Sequence, residues 1–455
     1  MSKPKNAKQG ATGAVTECNS QFDLFSIGRR KVTAAFVDTP LTSDIGVAIL
    51  GRLDRKFGIT ERLSASLVDG RDESKVRHST ADLLRQRAYQ IACGYEDASD
   101  ANSLRHDPAF QLALGRVPDD TAALASQPTL SRFEHRRNRD LLTFSNTLLD
   151  LWIERLRAKA RRSKKRPHII LDFDSTDFIT YGEQQFTLFH GHYGNYIYYP
   201  LLVFDQHGWP VAAMLRPGRM RTGGVVALLM RIYRRLVEAG LRFDMTVRAD
   251  AGFSTPELYA LCEDLQIRYV IGLVTHAALN AKLEPTMERA RTIAAQGGTA
   301  RIFTDFMMRW GRKTPHDRRI VAKAEITSIG ENPRYLITNM SESAEATYEF
   351  YTGRGRCENH IKELKNAMLG DRMSCHAFGA NQFRLLEHVT AYILMYLLRE
   401  ELADTELAGV QMDTLRLRLL KVAAVVRVTA RRIWIELSAA HPSAAFWPKL
   451  VPLLR

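Results

Sequence analysis

The sequence contains few cysteines, and none of them forms a closely spaced pair. The five cysteines are scattered along the chain: Cys18, Cys93, Cys262, Cys357 and Cys375. An odd number without a Cys-x-x-Cys spacing argues against a disulfide framework and against a cysteine-based zinc site. The pattern is typical of a reducing compartment, so we expect a cytoplasmic location.

Long apolar runs are also missing from the sequence. No uninterrupted apolar stretch reaches the length of about 18 residues that a membrane-spanning helix requires, so no membrane span is expected. The first residues, MSKPKNAKQGATGAVTE, lack the apolar segment of a secretory signal. We therefore expect residues 1–20 to form a flexible basic tail.

The sequence is rich in positive charge. Its 64 Lys and Arg residues outnumber its 50 Asp and Glu residues, which gives a net charge of +14 and a pI near 9.6. This excess favours a polyanionic partner, with nucleic acid as the first candidate, although a basic structural or ribosome-associated protein shares the same composition. With 455 residues, of which 45% are hydrophobic, the chain can bury a large core.

Residues 21–165 have mostly helical spacing, and we expect them to form a helical DNA-binding region. Residues 42–70 predict two helices that meet near Gly58, which is consistent with a DNA-reading helix-turn-helix and with an ordinary helix pair. A long helix over 139–163 ends in the basic segment ERLRAKARRSKKRP. Two interpretations of this segment remain open: a solvated linker and a strip that contacts phosphates.

From residue 166 the pattern changes to strands that alternate with helices. Strands are predicted in HIILDFDST, QFTLFH, YIYYPLLVFDQHG and PVAAMLRPG, followed by a helix, a strand ending in RADAGF, a second helix and the strand RYVIGLV. This order predicts an α/β fold with a mixed sheet, whose first part covers 166–271. Residues 272–346 are expected to be β-rich, 347–402 to complete the core with a long buried helix, and 403–455 to add basic helices.

Two aspartates stand where predicted strands end, Asp174 in LDFDSTD and Asp250 in RADAGF. Because strand ends converge at one edge of an α/β sheet, these carboxylates meet Glu358 if its helix packs against that edge. Three such carboxylates suit Mg²⁺ or Mn²⁺, and a pair of these ions about 4 Å apart promotes phosphoryl transfer. Asp172 is a rival for Asp174, because residues two apart share one face of a strand. Each acid is also compatible with an ordinary turn or cap.

The segment YTGRGRCENHIKELKN mixes aromatic, basic and acidic side chains at helical spacing. At about 100° per residue, Tyr351, Arg354, Glu358 and Lys365 fall on one narrow stripe of a helix. Such a stripe is neither an apolar core face nor a typical solvated face, and it indicates a surface that holds an anion beside a metal. Two alternatives remain: the helix begins only near Arg356, after the two glycines, or the charges form ordinary surface ion pairs.

The spacing Tyr-x2-Arg-x3-Glu-x6-Lys resembles the signature of a branch of bacterial insertion-sequence transposases with an Asp-Asp-Glu active site. The segments GYEDASDANSLRHDPAFQLALG and PLLVFDQHGWPVAAMLRPG are similar to one group within that branch, the insertion-sequence thirteen-eighty group. The resemblance covers about residues 35–400. It points to Asp174 rather than Asp172, because the family's first acid is followed by Ser or Thr.

This resemblance implies a retroviral-integrase-like (RNase H-like) catalytic core in which residues 272–346 are a β-rich insertion domain. Asp174, Asp250 and Glu358 would bind two Mg²⁺ ions, for which Mn²⁺ can substitute. The enzyme would excise an insertion sequence by cut-and-paste transposition through hairpin ends and join it to target DNA by strand transfer.

The resemblance also assigns DNA contacts and partners. Tyr351, Arg354 and Lys365 would contact the DNA backbone near the cleaved end, and Trp310 would stack on a base flipped out beside the cut. The partners would be double-stranded DNA, both the terminal inverted repeats and the target, and a second copy of the chain in a synaptic homodimer. The location implied is the bacterial cytoplasm, in association with the nucleoid.

Two other functions remain compatible with these residues. A metal-dependent nuclease of the same fold would cut DNA without strand transfer. A domesticated transposase would bind DNA without catalysis, although three intact carboxylates argue against it.

Overall fold

A computed structural model describes residues 21–37, 39–118, 123–191, 193–220, 222–309 and 316–450. The expected tail over 1–20 and Trp310 lie outside these described residues. The described chain starts with an exposed antiparallel hairpin of β1 (Gln21–Ile27) and β2 (Arg30–Ala35), where a helical region was expected. The short strand β3 (Leu41–Thr42) follows.

Helices dominate the described residues from 47 to 163, as their apolar spacing predicts. They are α1 (Val47–Phe57), α2 (Ile59–Ala65), α3 (Thr80–Ala92), α4 (Ala101–Leu104), α5 (Pro108–Ala113), α6 (Gln127–Glu134) and α7 (Asn138–Ser163). Gly58 separates α1 from α2 with a φ of 63°, in the left-handed region that glycine adopts without strain. Ser79 caps the start of α3, since its hydroxyl accepts a hydrogen bond from Asp82 N.

The α/β core follows from residue 168. Its elements are β4 (His168–Ser175), β5 (Phe178–Ile179), β6 (Leu188–His190), β7 (Asn195–Tyr198), β8 (Leu201–Asp205), β9 (Pro210–Met214), α8 (Val225–Glu238), β10 (Asp244–Ala249), α9 (Pro256–Asp264) and β11 (Arg268–Leu273). β4, β10 and β11 run parallel to one another, and α8 and α9 are the connecting helices. β8 and β9 add antiparallel strands at one side, so the mixed sheet that the sequence predicts is present.

The segment 272–346 contains the strands that the sequence predicts, but also a long helix that it does not. The elements are α10 (Ala277–Ala295), β12 (Ala300–Met308), β13 (Arg318–Thr327), β14 (Gly330–Glu331) and β15 (Arg334–Thr338). β15 pairs with β11, and β13 pairs with β15, so these strands continue the core sheet instead of forming a sheet of their own. The resulting sheet has nine strands in the order β12-β13-β15-β11-β10-β4-β8-β9, with β14 beside β13.

The chain then returns to helices beside the core. α11 (Ala344–Thr352) and α12 (Gly355–Lys362) are separate helices, and a π-helical turn (Glu363–Ala367) extends the second. α13 (Phe378–Glu401) is the long helix expected over 380–402, and its residues from 383 to 398 are buried. No helix in the described ranges is long and apolar enough to cross a membrane.

The prediction of basic helices over 403–455 is wrong for most of the described part. Only α14 (Met412–Leu415) and α15 (Trp447–Leu450) are α-helical, and a π-helical turn (Arg416–Leu420) follows α14. β16 (Ala424–Val428) and β17 (Ile433–Leu437) form an antiparallel hairpin whose first strand pairs with β3 near the start of the chain. The sequences AVVRV and IWIEL are rich in β-branched and aromatic residues, which fit a pleated sheet better than a helix.

Candidate active site

The parallel pair β4 and β10 places two of the predicted carboxylates at one edge of the sheet. Ala249 of β10 is in register with Phe173 of β4, so the residue that follows each of them, Asp250 and Asp174, stands at the same level. Asp250 ends its strand as the cap of a short turn, where its side chain accepts a hydrogen bond of 2.9 Å from Gly252 N. The convergence of strand ends that the sequence predicts is therefore present.

Helix α12 carries Glu358 to this edge. Cys357 and Ile361 form the buried face of α12. The ring of His360 stacks on Phe204 of β8 with 5.8 Å between centroids. Gly208 makes this close approach possible, because a Cβ there would lie 2.4 Å from the His360 ring and because its φ of 87° suits glycine.

Arg354 joins the carboxylates of two different elements. Its Nη1 donates to Asp174 Oδ2 at 2.9 Å and to Glu358 Oε1 at 3.2 Å. Burial alone would lower the pKa of Arg354, but the negative charge of Asp174 and the contact with Tyr351 raise it above its ordinary value. The guanidinium is thus a permanent cation at the centre of an acidic cluster.

Asp174 is the most buried of the three predicted catalytic acids. Burial raises its pKa to about 6, and the charges of Asp250 and Glu358 add to that effect, whereas Arg354 opposes it. Because both other acids act on this carboxyl group, their negative fields overlap at Asp174. Glu358 is more open than Asp174, with 53% of its side chain exposed against 10%.

Asp172 and Asp174 differ in the hydrogen bonds that their carboxylate oxygens accept. Arg248 of β10 donates from Nε and from Nη2 to the two oxygens of Asp172, each at 2.7 Å. Both side chains are buried, which makes this a bidentate internal ion pair. Asp174 instead accepts hydrogen bonds from Arg354 and from Ser175 N, and its choice as the first carboxylate stays a prediction.

Arg248 also explains the helix break at the start of the signature segment. Its Nη1 donates to Phe350 O of α11 at 2.9 Å. A Cβ on Gly353 would lie 2.4 Å from that same Nη1. The single continuous helix assumed for the four-residue stripe is therefore wrong: α11 ends at Thr352, and α12 begins at Gly355.

Tyr351 and Lys365 lie on opposite sides of this break. Tyr351 is on α11, where burial raises its pKa and where its hydroxyl approaches Gly272 of β11 so closely that a Cβ there would lie 2.8 Å away. Lys365 is on the π-helical turn, and its Nζ donates to Asp177 O at 2.8 Å and to Asp177 Oδ1 at 3.2 Å. Tyr351 therefore lies beside Arg354, while Lys365 is attached to the loop that follows β4.

The family of the chain follows from a comparison with known proteins. The family model described as Transposase DDE domain group 1 matches residues 25–455. The chain belongs to this family of DDE transposases. No curated protein matches the transposase. Among solved structures, it is similar to the piggyBac transposase synaptic complex with hairpin DNA, determined by cryo-EM, with 13% identity over 83% of this chain and 80% of that chain and a TM-score of 0.41.

The donor chemistry at the sheet edge suits the divalent ions that DDE transposases generally use. All three predicted ligands are carboxylates, which are the hard oxygen donors that Mg²⁺ and Mn²⁺ prefer. Among the described residues, no three His, Cys, Asp or Glu side chains are already grouped as a metal site. Arg354 lies instead between Asp174 and Glu358 and balances their charge.

Several polar residues of the transposase site were missed in the sequence. Arg248 lies two residues before Asp250, on the same face of the strand. This spacing alone does not identify Arg248 as a site residue; its pairing with Asp172 does. Arg216 donates from Nη2 to Ser175 Oγ at 2.6 Å, and its guanidinium lies 5.6 Å from the ring of Tyr199. Burial raises the pKa of Tyr199, and the charges of Asp250 and Asp174 contribute, which places this ring near the acids. No sequence motif marks either residue.

Proposed function

We propose that this transposase excises a mobile DNA element, with Asp174, Asp250 and Glu358 as the carboxylates of its active site. The observation that carries the proposal is geometric: Asp174 and Asp250 end paired strands at one edge of the sheet, and Arg354 bridges Asp174 to Glu358. A cluster of this kind would not be maintained by folding alone, because burying a carboxylate beside two others is costly. The cluster is therefore more consistent with function than with stability.

The metal would be held by these three residues. When bound, Mg²⁺ or Mn²⁺ would activate the attacking oxygen and stabilise the leaving oxygen of phosphoryl transfer. The chain's own residues would prepare this site by placing Asp174 and Asp250 at one edge of the sheet, and the bidentate Arg248 pair would keep Asp172 out of the ligand set.

Arg354 would bind the DNA backbone during the reaction. Its guanidinium donates through Nη1 to one oxygen of each of two carboxylates, so it already binds anionic oxygens at this edge of the sheet. With DNA bound, the guanidinium would donate to the non-bridging oxygens of a phosphodiester instead. Tyr351 would orient this arginine, since the two side chains are in contact, and Lys365 would add a second backbone contact after leaving Asp177.

The finer course of the reaction is part of the same proposal. The element would be an insertion sequence of the thirteen-eighty group, cut at its terminal inverted repeats through hairpin ends and joined to target DNA by strand transfer. Residues 21–165 would help to bind the DNA ends, Trp310 would stack on a flipped base, and two copies of the chain would pair the ends in a synaptic complex.

The test is DNA cleavage in Mg²⁺ on a plasmid that carries the natural flanks of the gene, with wild type beside Glu358→Gln. We expect flank-specific double-strand breaks and joined products from wild type only. Breaks without joined products would make the protein a nuclease, and binding without breaks in either protein would make it a non-catalytic DNA-binding protein. Equal cleavage by the variant would remove Glu358 from the site.

A further inference from the structure

A concave basic site lies at the other end of β4 and β10. It is a groove of about 400 Å³ between the end of α7 and the loop that precedes β10. Its lining residues are Arg157, Ala160, Arg161, Lys165, Arg166, Pro167, Gly240, Leu241 and Arg242. Five of these side chains are cationic, and none carries a carboxylate.

Most of this charge has no internal partner. Arg166 pairs with Asp244 at 3.0 Å. Within the ranges that the structure describes, Arg157, Arg161, Lys165 and Arg242 form no ion pair with Asp or Glu. Four neighbouring unpaired cations repel one another, and the repulsion is relieved by a polyanion that contacts them together.

The groove is formed by backbone of defined structure, which argues against the interpretation of the basic segment at the end of α7 as a solvated linker. α7 remains helical to Ser163, and Lys164 ends it in the left-handed region with a φ of 54°. Arg166 Nη2 then donates to Phe243 O at 2.6 Å, which attaches the segment to the start of β10. The cations are therefore presented by fixed backbone on both sides of the groove, so little ordering is needed on binding.

The position of the groove relates it to the candidate active site. Asp244 pairs with His168 at the groove end of the two strands, and Ala249 pairs with Phe173 beside the carboxylates. At about 3.3 Å per residue, the two ends are on the order of 20 Å apart. That distance corresponds to about six steps of 3.4 Å along one strand of a DNA duplex.

We propose that this groove binds the phosphodiester backbone of the duplex whose cut site lies at Asp174, Asp250 and Glu358, about six base pairs from the cut. The inference rests on the proposed function for the identity of the DNA. The groove supplies charge without base-reading chemistry, so it contributes affinity and alignment, not sequence preference.

The experiment measures binding of a 40-base-pair duplex (about four helical turns) from the natural flanks, without divalent metal, across a range of salt concentrations. Arg161→Gln/Lys165→Gln removes two charges from the groove. Lys282→Gln/Arg289→Gln, on the exposed surface of α10, is the matched control. Phosphate ethylation interference on the same duplex locates the contacts. Circular dichroism and melting temperature establish that both variants are folded.

We expect the groove variant to bind more weakly and to lower the slope of log affinity against log salt by about two, and the control to leave the slope unchanged. Wild type should lose binding when phosphates about six base pairs from the cut are ethylated, and the groove variant should be insensitive to them. An unchanged slope in the groove variant, or interference confined to the cut site, overturns the proposal for the groove and leaves the proposed function unaffected. A wild type that binds in this way but never cleaves overturns the transposase proposal and leaves the groove as a DNA-binding surface.

Discussion

Two aspartates on one face of β4, only two residues apart, have opposite surroundings. Asp172 receives two hydrogen bonds from Arg248 and is fully satisfied within the core. Asp174 receives a single guanidinium bond from Arg354, which it shares with the exposed Glu358, and a bond from its own neighbour Ser175 N at 2.8 Å. An acid whose bonding is complete stabilises the fold, whereas an acid with shared partners can exchange them for a ligand.

The largest expected effect is the loss of DNA cleavage when one of the predicted catalytic acids is neutralised. Asp174→Asn, Asp250→Asn and Glu358→Gln should each lower DNA cleavage by about a thousandfold or more, because each removes a charge that would hold the metal. Asp250→Asn and Glu358→Gln should melt near wild type, because the neutral amides keep the size of the acids. Asp174→Asn should melt at or above wild type, because it also removes the cost of burying a charge. Any of the three variants that cleaves at a normal rate is not part of the triad.

Breaking the ion pair between Asp172 and Arg248 should lower stability instead. Asp172→Ala leaves the buried Arg248 without its partner and should lower the free energy of unfolding by about 3–5 kcal/mol. Asp172→Ala/Arg248→Met removes both charges and should recover most of that loss. Urea unfolding curves of the two variants test this. If the double variant is no more stable than the single one, Arg248 is not held mainly by Asp172.

Asp174 should contribute to the pH dependence of stability together with Asp172, because burial raises the pKa of both carboxyl groups. Folding raises the pKa of Asp174 from 3.8 to about 6, so the folded state favours its protonated form. The resulting stabilisation is complete below pH 4 and is lost as the pH rises to 6, by about 3 kcal/mol at most in metal-free protein.

Melting temperatures of wild type and Asp174→Asn between pH 4 and 8 check this prediction. The difference between the two should change with pH, while other buried acids such as Glu387, whose pKa burial also raises, titrate in both proteins. A difference that stays constant over this range would assign the titration to another group.

The smallest expected effect concerns the two glycines of the signature segment. Gly353→Ala places a methyl group against Arg248 Nη1 and should cost about 1–3 kcal/mol, with lower cleavage because Arg354 follows directly. Gly355→Ala meets nothing within 4 Å at the start of α12, so it should be neutral or stabilise by up to about 1 kcal/mol. Melting temperatures and cleavage rates of the two variants, measured side by side, test this difference. Equal effects of the two substitutions would show that the contact with Arg248 is not the reason for a glycine at position 353.

Local patterns were sufficient to predict the elements that carry the acids. The run HIILDFDS ends as a strand at Asp174, and β10 ends at Asp250, because alternating and apolar residues give strands a strong signal. Helix α9 begins at Pro256 after the Thr255 cap, as its cap residues predict. Such features depend on neighbours within a few residues, so the sequence contains their cause.

The features that could not be predicted depend on distant partners. Gly353 has no Cβ, which leaves room for the Arg248 guanidinium of β10, more than a hundred positions earlier. β15 joins the core sheet because β11 offers a free edge. β16 pairs with β3 from near the start of the chain, and β17 pairs with β16. None of these distant partners is visible in a window of the sequence, although the β-branched and aromatic residues of β16 and β17 were a local signal for strands.

The pairing of β16 with β3 also has a consequence for synthesis of the chain. Ala424 is opposite Thr42, and Ile45 N donates to Val422 O at 3.1 Å. Contacts of such long sequence separation form late, because the intervening chain must close first. As the ribosome makes this protein, its first helices stay without their final support until residues near 424 have left the exit tunnel. Chains cut short before that point would leave β3 without its pairing strand, and an unpaired strand edge favours association with other chains.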